Sequence, residues 1–498
     1  MKHFKLSLLL PLGICSNYCV VPPLPAKPKN VIDPAQSPLN LDKVSLPIDE
    51  KKNKLWRIGT LVYTAAGLSA LFLWLLMGDF TIYLKDRGIS NVASIMLRSF
   101  KAEDWFVGLL VSSVPAGLGL IIVPMFSVIS DRYRSRWGRR LPFIFVSTPV
   151  MALSLIGLAF TPYIGTQLSH LFGLQPSGEI ICHLSVFTLF WSSFSIASTI
   201  ITALFIALVN DVVPDNIAGR FFGVVRAASF VAGILFNFYL LGLAKTHSFE
   251  ILIGLGLAVG FGLTVMCLMV KEGAYDEPPP KPKNVAQKRL FAPVIAYVSE
   301  CFREPFYRWF FVAWTLGLMA LSPVNTFPVF HARSLGMDDD FYGKCMALSF
   351  TIALFMSYPI GILADRFHPV RLGIAGMAIY ATVTLYGFFF ARNAWTFAIA
   401  LVLHTVFATF YLTATQSVMQ RLLPKAKFGQ FASAAGLISS FCIMTLSPFL
   451  GVFIQAMNHN YNYVFLLASL LAVASAGAYA MVLQKFKSLG GDENYSPP

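Results

Sequence analysis

Ser130-Asp131-Arg132-Tyr133-Arg134-Ser135-Arg136-Trp137-Gly138-Arg139-Arg140 packs five arginines into eleven residues. It lies between two stretches without Lys, Arg, Asp or Glu: Trp105–Ser130 before it and Leu141–Gly178 after it. About 20 apolar residues suffice for a helix to cross a bilayer, so the basic stretch reads as a tight loop between two membrane spans. A related pattern, Gly361-Ile362-Leu363-Ala364-Asp365-Arg366, ends a later uncharged stretch, Cys345–Ala364. Both place Asp-Arg where a span leaves the membrane.

Working outward, uncharged stretches also cover Ile58–Gly78, Ile180–Asn210, Ala227–Ala244, Ile251–Val270, Trp309–Ala332, Leu372–Ala391 and Asn393–Gln420. The helix of Ala227–Ala244 is expected to begin earlier, near Phe221. Phe431–Gln484 is long enough for two spans, divided at the polar cluster Asn458-His459-Asn460-Tyr461-Asn462. The expectation is an all-α membrane protein of twelve spans. Composition agrees: 56% of the 498 residues are apolar and 12% are charged, against about a quarter charged in soluble domains. No single water-soluble core buries that much apolar surface at this length. A soluble enzyme, a nucleic-acid-binding protein and a secreted domain are thereby excluded. The net charge of +14 follows topology instead: 30 basic residues fall on one side of the spans and 8 on the other, accounting for all 38. Lys and Arg concentrate on the cytoplasmic side of membrane proteins, so both termini are expected to be cytoplasmic, in a plasma (inner) membrane.

A second repeat is tighter. Pro214 is followed by Gly219-Arg220-Phe221, and Pro424 by Gly429-Gln430-Phe431; both are Pro-x4-Gly-x-Phe, in matching loops. Two pseudo-symmetric six-helix bundles follow, at 56–270 and 306–486, joined by a cytoplasmic linker, 271–305, that contains Pro278-Pro279-Pro280-Lys281-Pro282-Lys283. Residues 487–498 form a cytoplasmic tail. Residues 1–55 hold seven prolines between Pro22 and Pro47 and read as a disordered cytoplasmic segment. Lys2, Lys5 and the apolar run Leu6–Ile14 give it a signal-like start. Cleavage there would put the first span's start outside and invert the charge rule, so an uncleaved tail is expected. The seven cysteines form no C-x-x-C pair or zinc-type spacing, and no cofactor or metal is expected.

With these motifs the chain resembles the major facilitator superfamily over residues 56–486. Gly361-x-Leu363-Ala364-Asp365-Arg366 is similar to that family's loop motif. The first-half loop has Ser127 where the family has Gly; its longer form, Asp131 to Arg140 followed by Pro142-Phe143, resembles the glycoside–pentoside–hexuronide:cation symporters and the sucrose transporters. The resemblance implies secondary active transport of a small polar solute, a sugar or glycoside, by alternating access, coupled to H⁺ or Na⁺. It also implies that the Asp131 loop bridges the halves in one conformation. The gating candidates are Asp131, Arg132, Arg136, Gly138, Arg139, Arg140, Asp211, Arg226, Asp365 and Arg366, since carboxylate–Arg pairs can form in one state and break in the other. Gly138 permits a tight turn.

Gly78-Asp79-Phe80-Thr81-Ile82-Tyr83-Leu84-Lys85-Asp86-Arg87 admits two readings. Either span 1 ends near residue 82 and 83–104 is a charged external loop, or the helix starts near Gly67 and runs through Ile95-Met96-Leu97 to a short turn at Ser99–Asp104. In the second reading Asp79 and Asp86 lie two turns apart on one face, inside the membrane, where an ionisable group costs about 2.5–3.5 kcal/mol or more on insertion scales and faces a cavity or a partner. Asp79, Asp86 and Arg87 are then substrate- or cation-binding candidates, with Asn325 in span 7 and His404 in span 10. Packing roles compete for His404, for Tyr411 and for the Ser/Thr-rich span 4. Span 2 lacks the acidic residues of melibiose-type sodium symporters, which favours a proton. A membrane enzyme would need clustered His, Cys or acids, and the eight His are scattered. A sensor with a carrier fold would normally carry a folded signalling domain. No P-loop is present for ATP-driven transport.

Overall fold

The computed structural model describes residues 19–20, 55–174, 176–274, 301–424 and 428–498. The expected Pro-rich segment within 1–55 and most of the linker lie outside the described residues. Among the described residues eleven helices are long and apolar enough to cross a membrane, and a bent pair, counted as one span, makes twelve.

The first span, α1 (Ala65–Ser99), is one unbroken helix. Thr64 caps it by accepting the Gly67 amide at 3.2 Å. At 1.5 Å per residue its 35 residues extend about 50 Å, so Asp79, Lys85, Asp86 and Arg87 lie within the span and the turn at Phe100–Glu103 is short, as the second reading holds. Span 2 comprises α2 (Asp104–Gly108), a π-helical turn (Leu109–Ser113) and α3 (Val114–Arg132). The uncharged run from Leu141 to Gly178 is more than a span: α4 (Leu141–Ala159) crosses, and a separate helix, α5 (Thr161–Leu171), starts at Thr161-Pro162. Pro at a first helical position favours such a restart. Then follow α6 (Pro176–Val212), α7 (Asp215–Leu235) with a π turn at Phe236–Leu240, and α8 (Ser248–Met269).

The second half repeats the plan. α9 (Pro305–Thr326) and α10 (Pro328–Ser334) form the bent pair, with a 43° break at Phe327-Pro328. Pro323 is accommodated inside α9, so the bend falls one turn later than that proline. α11 (Asp339–Arg366), α12 (Pro369–Phe390), α13 (Ala394–Ala414), the short α14 (Val418–Leu422), α15 (Phe428–Ala456) and α16 (Asn462–Ser488) complete it. Asp338 caps α11 through the Phe341 amide at 2.6 Å, with Asp339 and Asp340 on the positive end of the helix dipole. Within the first half α4 packs on α6 and α8; within the second, α16 packs on α9 and α12. A small antiparallel sheet, unexpected from the sequence, pairs Leu61–Tyr63 with Trp56–Ile58 and Cys19–Val20.

The halves meet along two seams. Span 2 lies on α15: the Ser113 hydroxyl donates to the Met444 carbonyl at 2.6 Å, and a Cβ on Gly451 would sit 2.3 Å from the Trp105 Cα. Span 5 lies on α11: a Cβ on Gly343 would sit 2.2 Å from the Asn237 carbonyl oxygen. Both π turns face these seams; such turns are rare and recur at functional sites. The close contacts all involve the ends of the spans away from the arginine loop. Toward that loop, Met125 and Val128 of α3 and Phe355, Tyr358 and Ile362 of α11 are exposed. The molecule is thus sealed at one end and cleft at the other.

Candidate functional site: a charged cleft between the bundles

The midpoint of α1 faces this cleft. Lys85 is 0% exposed, and its ammonium donates to Asp86 and, at 2.8 Å, to Ser198 of α6, 5.5 Å from the Phe194 ring. Buried ammonium needs such partners, since desolvation otherwise costs several kcal/mol per ion. The Asp86 side chain is 42% exposed and forms one wall of a cavity of about 160 Å³ with Ser90, Trp191, Phe194, Ser198 and Thr199. Trp191 is fixed there by its indole N–H, which donates to the Leu110 carbonyl at 2.7 Å. One turn of that carbonyl's segment is the π turn of span 2, so the irregular helix and the cavity wall are coupled. Asp79 is 4% exposed, and its Oδ2 has no hydrogen-bond partner. Asp79 and Asp86 are therefore not equivalent: one is buried, the other opens on the cavity.

Arg87 and Arg226 both lie against the Phe230 ring, at 5.8 and 5.3 Å from its centroid. Arg87 also lies 4.9 Å from Phe350 and 6.0 Å from Tyr83. Phe230, Phe350 and Ala353 pack together as an apolar plug across the span 5 seam. Arg226, read from the sequence as a gating residue, donates to Thr413 of the opposite half at 3.4 Å.

On the second half's side, Asn325 is exposed to a cavity of about 340 Å³ lined also by Ser112, Ser322, Thr326 and Leu412. His404 is buried behind it. Its Nε2 is 3.1 Å from the Asn325 Oδ1 and its Nδ1 2.8 Å from the Tyr380 hydroxyl. With Nε2 protonated, His404 donates to Asn325 and accepts from Tyr380, so it aims the amide rather than lining the cavity. Tyr411 is buried and pairs with Tyr479 at 3.1 Å.

The arginine loop forms a compact network at the open end. The Asp131 carboxylate pairs with Arg140 at 3.0 Å and Arg139 at 3.5 Å. Asp211 of α6 pairs with Arg139 at 2.7 Å and Arg140 at 2.6 Å. Glu272, which the sequence reading did not single out, accepts the backbone amides of Arg139, Arg140 and Leu141 at 2.9, 2.9 and 2.7 Å. It thereby caps α4. Gly138 has φ +108°, and a Cβ there would sit 2.4 Å from the Glu272 carboxyl carbon; the turn requires glycine twice over. These pairs tie the loop within its own half. Arg132 and Arg136 are exposed, as is Arg366, which lies 5.4 Å from the Phe367 ring. The Asp365 side chain is outside the described residues.

The sealed end carries a second group that the sequence reading passed over. Asp104, 0% exposed at the start of α2, accepts from the Tyr461 hydroxyl at 3.1 Å, lies 2.7 Å from His459 and pairs with Arg98 at 3.5 Å. Tyr461 and His459 come from the opposite half. The only sequence signal was an acid and a polar cluster in two external turns far apart in the chain.

The model of the Major Facilitator Superfamily matches residues 75–342 and 323–490. No curated protein matches in sequence. Solved structures match the fold over most of their length. The nucleoside transporter NupG is 14% identical with TM-score 0.59, covering 83% of this chain and 99% of that one. A bacterial homolog to the human lysosomal transporter Spinster, inward-facing and unoccupied, is 15% identical with TM-score 0.60, covering 86% and 98%. The xylose transporter XylE from E. coli, inward open, is 12% identical with TM-score 0.60, covering 84% and 95%.

Proposed function

Since this chain belongs to the major facilitator superfamily and is a transporter rather than an enzyme, we propose that it moves a small polar solute, a sugar or glycoside, through the cleft between its halves, with a proton as the coupling cation. The observation that carries this reading is the pairing at the middle of α1. Asp86 opens on one cavity while its neighbour Lys85 is buried against Ser198, and Asn325 opens on the cavity opposite. Hydroxyl and carboxylate groups in the one cavity and hydroxyl and amide groups in the other suit a polyhydroxylated solute. Asp79, an acid buried in the middle of α1 whose Oδ2 has no hydrogen-bond partner, is the group that supports a proton site. The basic bias supports placing the arginine loop and both termini in the cytoplasm of a plasma-membrane protein. The sealed end is then external, and the structure is the inward-open state.

The test is uptake by proteoliposomes of purified protein, with radiolabelled sugars and an imposed proton or sodium gradient. Asp79→Asn is expected to abolish gradient-driven accumulation while leaving solute exchange. Full gradient dependence in that variant removes the proton assignment. Accumulation of a nucleoside but no sugar removes the solute class.

A further inference from the structure

Arg87 and Arg226 bring two guanidiniums to one phenyl ring, Phe230, at the seam between the halves. Neither forms an ion pair with any described residue. Arg226 makes one contact, at 3.4 Å, to Thr413, and the Arg87 Nε is buried without an acceptor. A guanidinium offers about five N–H donors in a rigid fork, so most of this donor capacity is unused. The rings of Tyr83, Phe230 and Phe350 compensate part of the lost hydration, yet they cannot cancel the repulsion between two like charges. The nearby acids do not serve either. Asp86 is committed to Lys85, and Asp79 is eight residues back along α1, about 12 Å away. Lys85, Arg87 and Arg226 against Asp79 and Asp86 leave the cleft with an excess of positive charge. Asp131 and Asp211 are held by Arg139 and Arg140 at the loop.

We propose that the transported solute carries an anionic group (a carboxylate, phosphate or sulfate) which Arg87 and Arg226 hold together. This rests on reading the cleft as the substrate site. Both arginines belong to the first half, whereas Phe350 and Thr413, which contact them, belong to the second. The anion therefore stays with one half while the other moves past it, and the apolar plug of Phe230 and Phe350 is the wall that must part. The fork geometry favours a planar or tetrahedral oxyanion gripped at two oxygens. Weakening by salt is expected to be small for a site this enclosed.

The experiment uses the full chain in phosphatidylcholine nanodiscs, which contain no anionic lipid. Melting temperature and calorimetric affinity are measured with methyl glucoside, glucuronate, glucose 6-phosphate and inorganic phosphate. At least one anionic sugar is expected to bind tenfold or more tighter than methyl glucoside. Arg87→Gln and Arg226→Gln should each weaken that anion at least tenfold while changing methyl glucoside less than threefold. Arg87→Lys and Arg226→Lys, which keep charge but lose the fork, report folding and should recover part of the affinity. Methyl glucoside binding as tightly as every anion, with the ratio unchanged in both glutamine variants, overturns the inference and leaves the sugar reading intact. Inorganic phosphate binding through both arginines with no sugar of either charge bound upholds the inference and removes the sugar reading. No response of the wild type to any anion overturns the inference.

Discussion

Lys85 shows how one buried charge constrains its neighbours. Its ammonium is wholly enclosed and leans on Asp86 and Ser198, while Asp86 itself reaches the cavity. The two members of the pair are therefore not equally removable. Asp86→Asn leaves a buried ammonium without its counter-ion, a change that typically costs about 3–5 kcal/mol. Lys85→Met leaves a carboxylate that water can solvate, and is expected to cost under about half as much. The double variant Lys85→Met/Asp86→Asn should melt above Asp86→Asn alone, which a thermal melt of the three purified variants decides; equal melting of the double and Asp86→Asn would show that the pair does not stabilise the fold. Transport loss in Asp86→Asn consequently has to be read beside the double variant. That Asp79, Asp86 and Arg87 sit on one continuous helix was legible as the second reading, because no turn residue interrupts Leu68–Leu97 strongly enough to end a helix. Arg226 is among the gating candidates, but its partner was not legible because it lies 187 positions away in the opposite half. Arg226 is five residues past Phe221, where the span begins, about 8 Å along the helix, and from there its guanidinium reaches Thr413 of the other half. Glu272 was invisible because its partners, the amides of residues 139–141, lie more than 130 positions away.

At the scale of elements, the two seams decide which end is shut. Gly343 and Gly451 let backbones approach until an added methyl would overlap a carbonyl oxygen or a Cα. Overpacking a tight contact costs about 1–3 kcal/mol, and here it falls only on the state in which the seam is closed. Gly343→Ala is thus expected to shift the balance between the two access states by about 5- to 150-fold away from the state described here. Distances between spin labels at Lys101 and Asn458, on the two halves at the sealed end, should lengthen in the variant. Unchanged distances would mean that the seam yields locally without moving the bundles. The positions of the spans were legible because each is a long uncharged run. Two details were not. The run from Leu141 to Gly178 contains both a span and α5, since hydropathy does not register where a chain turns back. The sheet at Leu61–Tyr63 is made of strands of two or three residues, too short for an alternating pattern to mark them.

For the whole molecule, the two ends hold different kinds of lock. The arginine network joins Asp131, Asp211 and Glu272 within the first half, so in this state it stabilises the loop rather than the contact between halves. The Asp104 group joins the halves directly, through Tyr461 and His459. Removing one partner of a buried, hydrogen-bonded charge cluster costs about 2–5 kcal/mol, and for Asp104 that cost is borne only while the sealed end is closed. Asp104→Ala should therefore raise the population open at that end. A change of about 5.5 kcal/mol is needed to carry a two-state equilibrium from 1:99 to 99:1, so the variant is expected to populate both states rather than to invert them. Asp131→Ala acts differently. If its loop crosses to the second half when the cleft closes, the variant loses a contact made only in the other state. It should then slow solute exchange at least tenfold while equilibrium affinity stays within about threefold, since a step that changes state populations little can still limit turnover. Affinity lost in proportion to exchange would place Asp131 in the structure of the binding cleft instead. Measured together, Asp104→Ala should lengthen label distances at the sealed end, and Asp131→Ala should leave them unchanged. The two substitutions thus separate a lock that holds the present state from one that awaits the opposite state.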